Sequence, residues 1–553
     1  MSPGRLRGVT LLVLATAGIL SVRTVAQGPK AIDTGDLRTW LSYIASDELE
    51  GRATYSAGLG LAAGYIQSHL QQWGAQPGGD GGTFLQTVRV RSARSASRSS
   101  LTVRVGNESR TFKDGEGVTF PRNAGVSRTL RLDRVEFAGY GLEAPGANHS
   151  DFRGKKVDGA AVVFLGSDGP AALDQQATRR LLTGRGRYAI DQLHAASSIG
   201  PEGASGAPAR PAGGSDRNPS EFTTAQRLDL PVPPAVTVSD QVFEFLFSRA
   251  QTHYPELKRK AAARETLPSF RLDNVTLTYT IDVDYTIVRT QLTQNIVAIV
   301  PGSDPVLKDT YVAFGAHYDH VGYADSEIGD NGSRRPGAPG RVTPGEAADR
   351  IWNGADDDGS GTVALMAIAR AALTGPRPAR SLLFVWHAGE ERGLLGSRYF
   401  ADHPSVPLER VVAQLNVDMI GRNRDDKPSE ANTVYLVGSD RISSELHEIS
   451  RQANQSLPQP LTLDYELNDP ADLEQFYFRS DHYSYAIKGI PVIFFTTGLH
   501  QDYHANTDHV SKIEFDKLAR VTRLVYETGL RVANRESPPA RDNLGPRAGK
   551  GAS

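Results

Sequence analysis

The sequence predicts an α/β fold: a mixed, mostly parallel central β-sheet flanked by helices, with a small β-rich domain inserted ahead of it. Three observations lead there. From Gln294 onward, short apolar runs alternate with a helical pattern, as βα units require. Residues 115–285 have a different texture, in which strand-like runs are broken by Gly and Pro. Four times after residue 310, a His, Asp or Glu falls at or just past the C-terminal end of an apolar run. In an open α/β sheet that edge is where ligands bind.

The elements follow in order. Arg5 and Arg7 precede an apolar stretch, Val9 to Val22, and then small residues at Thr24-Val25-Ala26. This is the pattern of a signal peptide over 1–26, which implies an exported protein, periplasmic or secreted; an uncleaved anchor is the other reading. Residues 27–114 read as an N-terminal segment packing on the α/β domain. Trp40, Leu41, Ile44 and Leu49 recur at helical spacing, as do Ala62, Ala63, Ile66 and Leu70. Phe84 to Val105 alternates as strands do. The β-rich domain spans 115–285, with strands at Arg134–Ala138, Ala160–Phe164 and Pro234–Val238, and Ser197 to Pro219 reads as a surface loop. The α/β domain occupies 286–535. Its expected strands are Asn295–Val300, Tyr311–Phe314, Leu382–Trp386, Val411–Val417 and Pro491–Thr496, with an Ala-rich helix over Thr362–Leu373. The segment 536–553, with Pro538-Pro539 and few apolar residues, reads as a disordered tail.

With 61 basic against 63 acidic side chains, nothing marks nucleic acid or an anionic membrane as a partner. No stretch after the leader is long enough and apolar enough to span a bilayer. There are no cysteines, which excludes disulfides, a thiol nucleophile and Cys-type zinc sites. Oligomeric state stays open.

The most informative run is Gly354-Ala-Asp-Asp-Asp-Gly-Ser-Gly361, preceded by His317-x-Asp319 and followed by Glu390-Glu391, Asp418 and His504. These are hard-oxygen and imidazole donors with one spare glutamate. The inventory suits two zinc ions sharing a carboxylate, plus a general base, and so a metal-dependent hydrolase. Each piece alone has a plainer reading. Asp-Asp-Asp-Gly is commonly a turn or a calcium loop, and paired glutamates often start a helix. His387 and His403 read as packing or solvated residues, and His320 as a packing or supporting one. His500 and His504 lack the glutamate of a helical zinc pair, and His447 has Arg451 where a second histidine would stand. No Gly-x-Ser-x-Gly elbow or Walker loop is present.

Residues 290–535 resemble the catalytic domain of the M28 family of zinc peptidases, aminopeptidase type. The matching pieces are Gly315-Ala-His-Tyr-Asp-His320, Asn353–Gly361, Gly389-Glu-Glu-Arg-Gly-Leu-Leu-Gly-Ser397, Asn416-Val-Asp-Met-Ile420 and Asp502-Tyr-His504. The middle segment resembles a protease-associated (PA) domain through Phe137-Ala-Gly-Tyr-Gly141 and Pro234-Ala235, and Glu50-Gly51-Arg52 is similar to the start of exported bacterial members. The resemblance implies a zinc-exopeptidase fold and roles residue by residue. His317 and Asp418 would hold one zinc, Glu391 and His504 the other, and Asp357 would bridge them; cobalt or manganese would suit the same donors. Glu390 would be the general base for a metal-activated water, and Tyr503 would hydrogen-bond the developing oxyanion. Asp319 would accept a hydrogen bond from the His317 imidazole, and Asp358 would follow the bridge through a cis peptide bond. Asp481 and His482 would support the site or touch substrate.

The implied activity is an exported di-zinc aminopeptidase acting on peptides. A carboxypeptidase or dipeptidase on the same scaffold is the alternative, followed by a non-catalytic binding ectodomain. A single-zinc glutaminyl cyclase fits less well, because all five ligands and the base are present.

Overall fold

In the computed structural model, residues 32–202, 221–326 and 338–543 are described. The expected leader, 1–26, lies outside them. The chain opens with helix α1 (Thr34–Ile44), capped by the Asp33 carboxylate, and helix α2 (Ala57–Trp73). Strand β1 (Leu85–Ser97) follows. After the insert come β2 (Val283–Val300), β3 (Tyr311–His317), α3 (Gly361–Thr374), β4 (Ser381–His387), α4 (Leu395–Asp402), β5 (Val411–Val417), β6 (Thr433–Val437), α5 (Ser444–Gln455), β7 (Val492–Thr496) and α6 (Phe515–Ala533).

These strands share one sheet in the order β1-β2-β4-β3-β5-β7-β6. β4, β3, β5 and β7 run parallel, while β1, β2 and β6 join antiparallel. Parallel pairing thus dominates the centre and recurs at one edge, where Thr462–Asp464 pairs with β6. Alternate residues in the centre enter different cores, which explains the continuous apolar runs. Val312, Phe314 and Ala316 of β3, with Leu382, Phe384 and Trp386 of β4, pack with α1, α2, α3 and α6. Ala313, Leu383 and Val385 face the opposite layer with Phe400, Tyr485 and Phe494.

The insert forms its own ten-stranded mixed sheet over a separate core that includes Val103, Phe137, Val163, Ile199, Phe243 and Tyr279. Several expectations shift here. The segment expected to pack on the α/β domain up to residue 114 divides near Arg98: Ser100–Val105 and Glu108–Asp114 are strands of the insert. The insert also carries helices at Gln175–Arg187, Asp240–Leu246 and Tyr254–Ala262, so it is not purely β. Ser197–Pro201, expected in a loop, is a buried strand between Ala161–Val163 and Ala235–Val238. Its small residues let Phe164 lie across Gly200, and Ser197 bonds the Tyr279 hydroxyl at 3.0 Å, so polarity there reflects tight packing rather than exposure. Glu221–Thr224 leaves the insert to pair with the outer edge of β1. Of the expected disordered tail, 544–553 lies outside the described residues, while in 536–543 the Asp542 carboxylate accepts from the Ser444 N–H at 3.1 Å beside the start of α5. Among the described residues, no helix is long and apolar enough to cross a membrane.

Candidate metal centre

The parallel centre of the sheet brings the predicted residues to one rim. His317 is the last residue of β3, Asp418 follows β5 directly, Glu390 and Glu391 lie in the turn after β4, and His504 lies in the loop after β7. Asp357 comes from the loop that leads into α3. The Asp357–Asp358 peptide bond is cis.

Asp357 stands at the middle of the cluster. One carboxylate oxygen lies 3.3 Å from His317 Nε2, and the other 3.1 Å from His504 Nε2. Asp418 is 3.7 Å from the same His317 nitrogen, and Glu391 is 2.9 Å from His504 Nε2. All five predicted ligands therefore converge. His317, Asp357 and Asp358 are buried, whereas Glu390, Tyr503 and His504 are partly exposed and form the open side.

The neighbours explain the orientation. Asp358 Oδ1 accepts the N–H groups of Gly361 and Met419, and its Oδ2 accepts that of His317, at 2.9–3.2 Å. Both oxygens are thus committed to backbone, and Asp358 ties three donor-bearing segments together. The Asp508 carboxylate accepts from the N–H groups of Asp356 and Asp357. Gly354 has φ +59°, and a Cβ there would meet the Asp357 carbonyl oxygen at 2.3 Å, so only glycine allows this loop to close. Ser480 donates to Asp418 at 2.6 Å.

Asp319 departs from its predicted role. The His317 ring donates from Nδ1 to the Asp319 backbone carbonyl at 3.1 Å, not to its carboxylate, which stands 3.8 Å away. That bond still leaves Nε2 free to face the cluster. The carboxylate instead accepts from Thr54 Oγ1 at 2.8 Å and from the Glu390 N–H at 3.1 Å, so it orients the glutamate pair.

Electrostatics match the crowding. Burial pushes the Glu390 carboxyl well above the usual range; His317 opposes this, and Glu391 and Asp418 reinforce it. Burial would raise Asp357 too, but contact with His317 and His504 outweighs it and holds this carboxyl well below the usual range. Burial also pushes the Tyr503 phenol up to about 12, so it stays protonated at neutral pH. Its oxygen accepts from Arg479 at 2.9 Å, and because a guanidinium only donates, the phenolic hydrogen stays available.

Other histidines lie elsewhere. His500 pairs with Asp356 at 3.2 Å, His387 lies 3.4 Å from Asp481, and His403 stacks on Tyr399. His482 stacks on Phe494, and burial lowers its pKa to about 3, so it is a neutral packing group. His320 is the exception to a packing role: its Nδ1 lies 2.9 Å from Glu391 Oε1.

Sequence reasoning missed Arg52 as a structural key. Its guanidinium is fully buried and donates to the backbone oxygens of Ile44, Tyr318, Asn353, Gly354 and Asp357. It pins the N-terminal segment to both the His317 and Asp357 loops. The only available signal was the Glu50-Gly51-Arg52 motif, which by itself says nothing of reach. Asp508 carried no signal.

The residues present fit a metal site. Asp357 Oδ2, Glu391 Oε1 and both His320 ring nitrogens are buried without a hydrogen-bond partner, and ligand atoms of these three residues lie within 4.8 Å of one another.

Residues 295–529 match peptidase family M28. A probable leucine aminopeptidase of Arthroderma otae is 26% identical over 240 residues, covering 42% of this chain and 55% of that protein. One from Trichophyton verrucosum is 30% identical over 238 residues, covering 41% and 54%. The chain thus spans about half the length of the curated relatives it matches. Among solved structures, an aminopeptidase from an Aneurinibacillus strain aligns over 95% of this chain and 100% of its own, at 17% identity and a TM-score of 0.44.

Proposed function

We propose, from the premise that residues 295–529 belong to peptidase family M28, that the chain is an exported di-zinc aminopeptidase. The observation that carries this reading is the position of Asp357, within 3.3 Å of His317 on one side and 3.1 Å of His504 on the other. His317, Asp357 and Asp418 would hold one ion, and Asp357, Glu391 and His504 the second. Zinc bound there would polarise the scissile carbonyl and acidify water.

The chain's own residues do the rest. Glu390 lies on the open side with its backbone held by Asp319, placed to take a proton from water and return it to the leaving amine. Tyr503, with its oxygen engaged by Arg479, has a hydrogen to offer the developing oxyanion. Asp358, Asp508 and Arg52 hold the loops in register, so little reorganisation is needed during reaction.

Export rests on the leader pattern at 1–26, and the names of the matched relatives favour aminopeptidase over the other exopeptidase classes. The insert fits the PA-like assignment on its motifs and would shape access to the rim rather than take part in chemistry. The test is metal analysis of the purified protein together with free and N-blocked leucyl substrates. Cleavage of the free but not the blocked substrate, with two zinc per chain, is expected. Equal cleavage of both rejects the aminopeptidase assignment.

A further inference from the structure

His320 belongs to the sequence block that supplies His317, yet neither the family match nor the five-ligand reading gives it a task. It is 1% exposed, and neither ring nitrogen has a hydrogen-bond partner. Its backbone N–H is fixed by the Arg52 carbonyl at 3.1 Å. Its ring lies so close to Gly354 that a Cβ there would stand 2.5 Å from two ring carbons. It meets the His504 ring edge-on, with centroids 5.8 Å apart and planes at 71°. Packing therefore holds the imidazole in place without any directional polar contact.

Its Nδ1 nevertheless points into the acidic cluster, 2.9 Å from Glu391 Oε1 and 3.8 Å from Asp357 Oδ2. The shorter contact lacks the alignment of a hydrogen bond, for both atoms remain unpartnered. His320, Asp357 and Glu391 each bring one ligand atom within 4.8 Å of the others, close enough to surround a single ion. Donors of one tetrahedral zinc, each at about 2.0–2.1 Å, stand about 3.4 Å apart. The separations of the His320 and His504 nitrogens from the Asp357 and Glu391 oxygens run from 2.9 to 3.8 Å and bracket that figure. Those at His317 are 3.3 and 3.7 Å.

We propose that His320 is a further nitrogen ligand of the ion held by Asp357, Glu391 and His504, so that the two metal positions are unequal. This rests on the two-ion reading above. One position then has four protein donors and is nearly closed, as structural zinc sites are. The other, with His317, Asp357 and Asp418, keeps room for water and substrate, as catalytic sites do. The closed position fills first and empties last.

The test compares the zinc-loaded wild-type protein with His320→Gln. Zinc retained per chain is measured against graded chelator, and histidine scattering per zinc is read by X-ray absorption. The wild type is expected to release its zinc in two steps, and the variant to lose the tighter step, with affinity down about 10- to 100-fold and fewer imidazoles per zinc. Two equivalents held with wild-type affinity and an unchanged spectrum overturn the assignment. If the variant fails to fold, cobalt-substituted wild-type protein decides by proton NMR. Three hyperfine-shifted imidazole N–H signals support the proposal, and two overturn it. A wild-type protein that holds no zinc overturns the di-zinc reading itself, a result distinct from loss of His320 alone.

Discussion

In the sheet that carries the cluster, His317, His320, Asp356, Asp357, Asp358 and Asp418 lie buried at one rim. In the inserted sheet, charge stays mostly outside. Arg98 pairs with Asp282 and Asp284, and Arg249 with Glu108, through side chains that are each 43% or more exposed. The interior of the insert is apolar, apart from residues such as Arg185, whose guanidinium donates from one nitrogen to the carbonyl oxygens of Tyr140 and Leu165 and lies over the Phe164 ring. Buried charge is costly unless paired or bound to metal. A region that concentrates carboxylates and imidazoles therefore calls for compensating charge, whereas a region that keeps most charge outside relies on its apolar core. The contrast separates a part that gathers ionisable donors at one rim from a part that keeps them mostly at its surface.

The sharpest way to break this contrast is Glu390→Gln. Turnover of a leucyl substrate should fall by about 10²- to 10⁴-fold while zinc content stays at the wild-type value. Loss of zinc as well would show that Glu390 holds metal rather than moves protons. Next, His504→Ala should cost bound zinc together with activity, and unchanged stoichiometry by metal analysis would remove His504 from the centre.

Arg52 and Arg98 compare the two regions directly. Arg52→Leu leaves five backbone oxygens without their donor, each beside the ligand loops. Stability should drop by about 3 kcal/mol or more, with weaker zinc retention, both read by urea titration and metal analysis. Arg98→Ala, at an exposed pair, should leave the urea midpoint unmoved. Equal effects would erase the distinction.

The gentlest change for the chemistry should be excision of the insert. Ser97 and Val283 are paired neighbours on β1 and β2, and the Arg98 N–H bonds the Asp282 carbonyl at 2.8 Å, so a short turn could replace residues 98–282. The excised protein should keep its zinc and hydrolyse small substrates with an altered range. It will also lose the Glu221–Thr224 edge strand and the bond from Tyr483 to Asp191, so some stability should go with it. Loss of all zinc would mean that the two regions are not separable.

Much of this was legible in the linear chain. Continuous apolar runs located the four parallel strands, the buried end of β2 and α3, because a strand buried on both faces must be apolar throughout. Donor residues at the strand ends marked the rim before any geometry was known. Polarity misled at Ser197–Pro201, where small residues serve close packing, and at 536–543, where a run with little apolar content is held by side-chain bonds to α5.

What the amino-acid order alone determined was local: which segments form strands and helices, and which donor types stand at their ends. Those follow from short-range periodicity. The tertiary structure alone decided which polar atoms meet. Arg52 reaches the Tyr318 carbonyl across 266 residues, Asp319 sends its backbone rather than its carboxylate to His317, and His320 turns inward. Such pairings depend on how distant segments pack, and no local pattern encodes that.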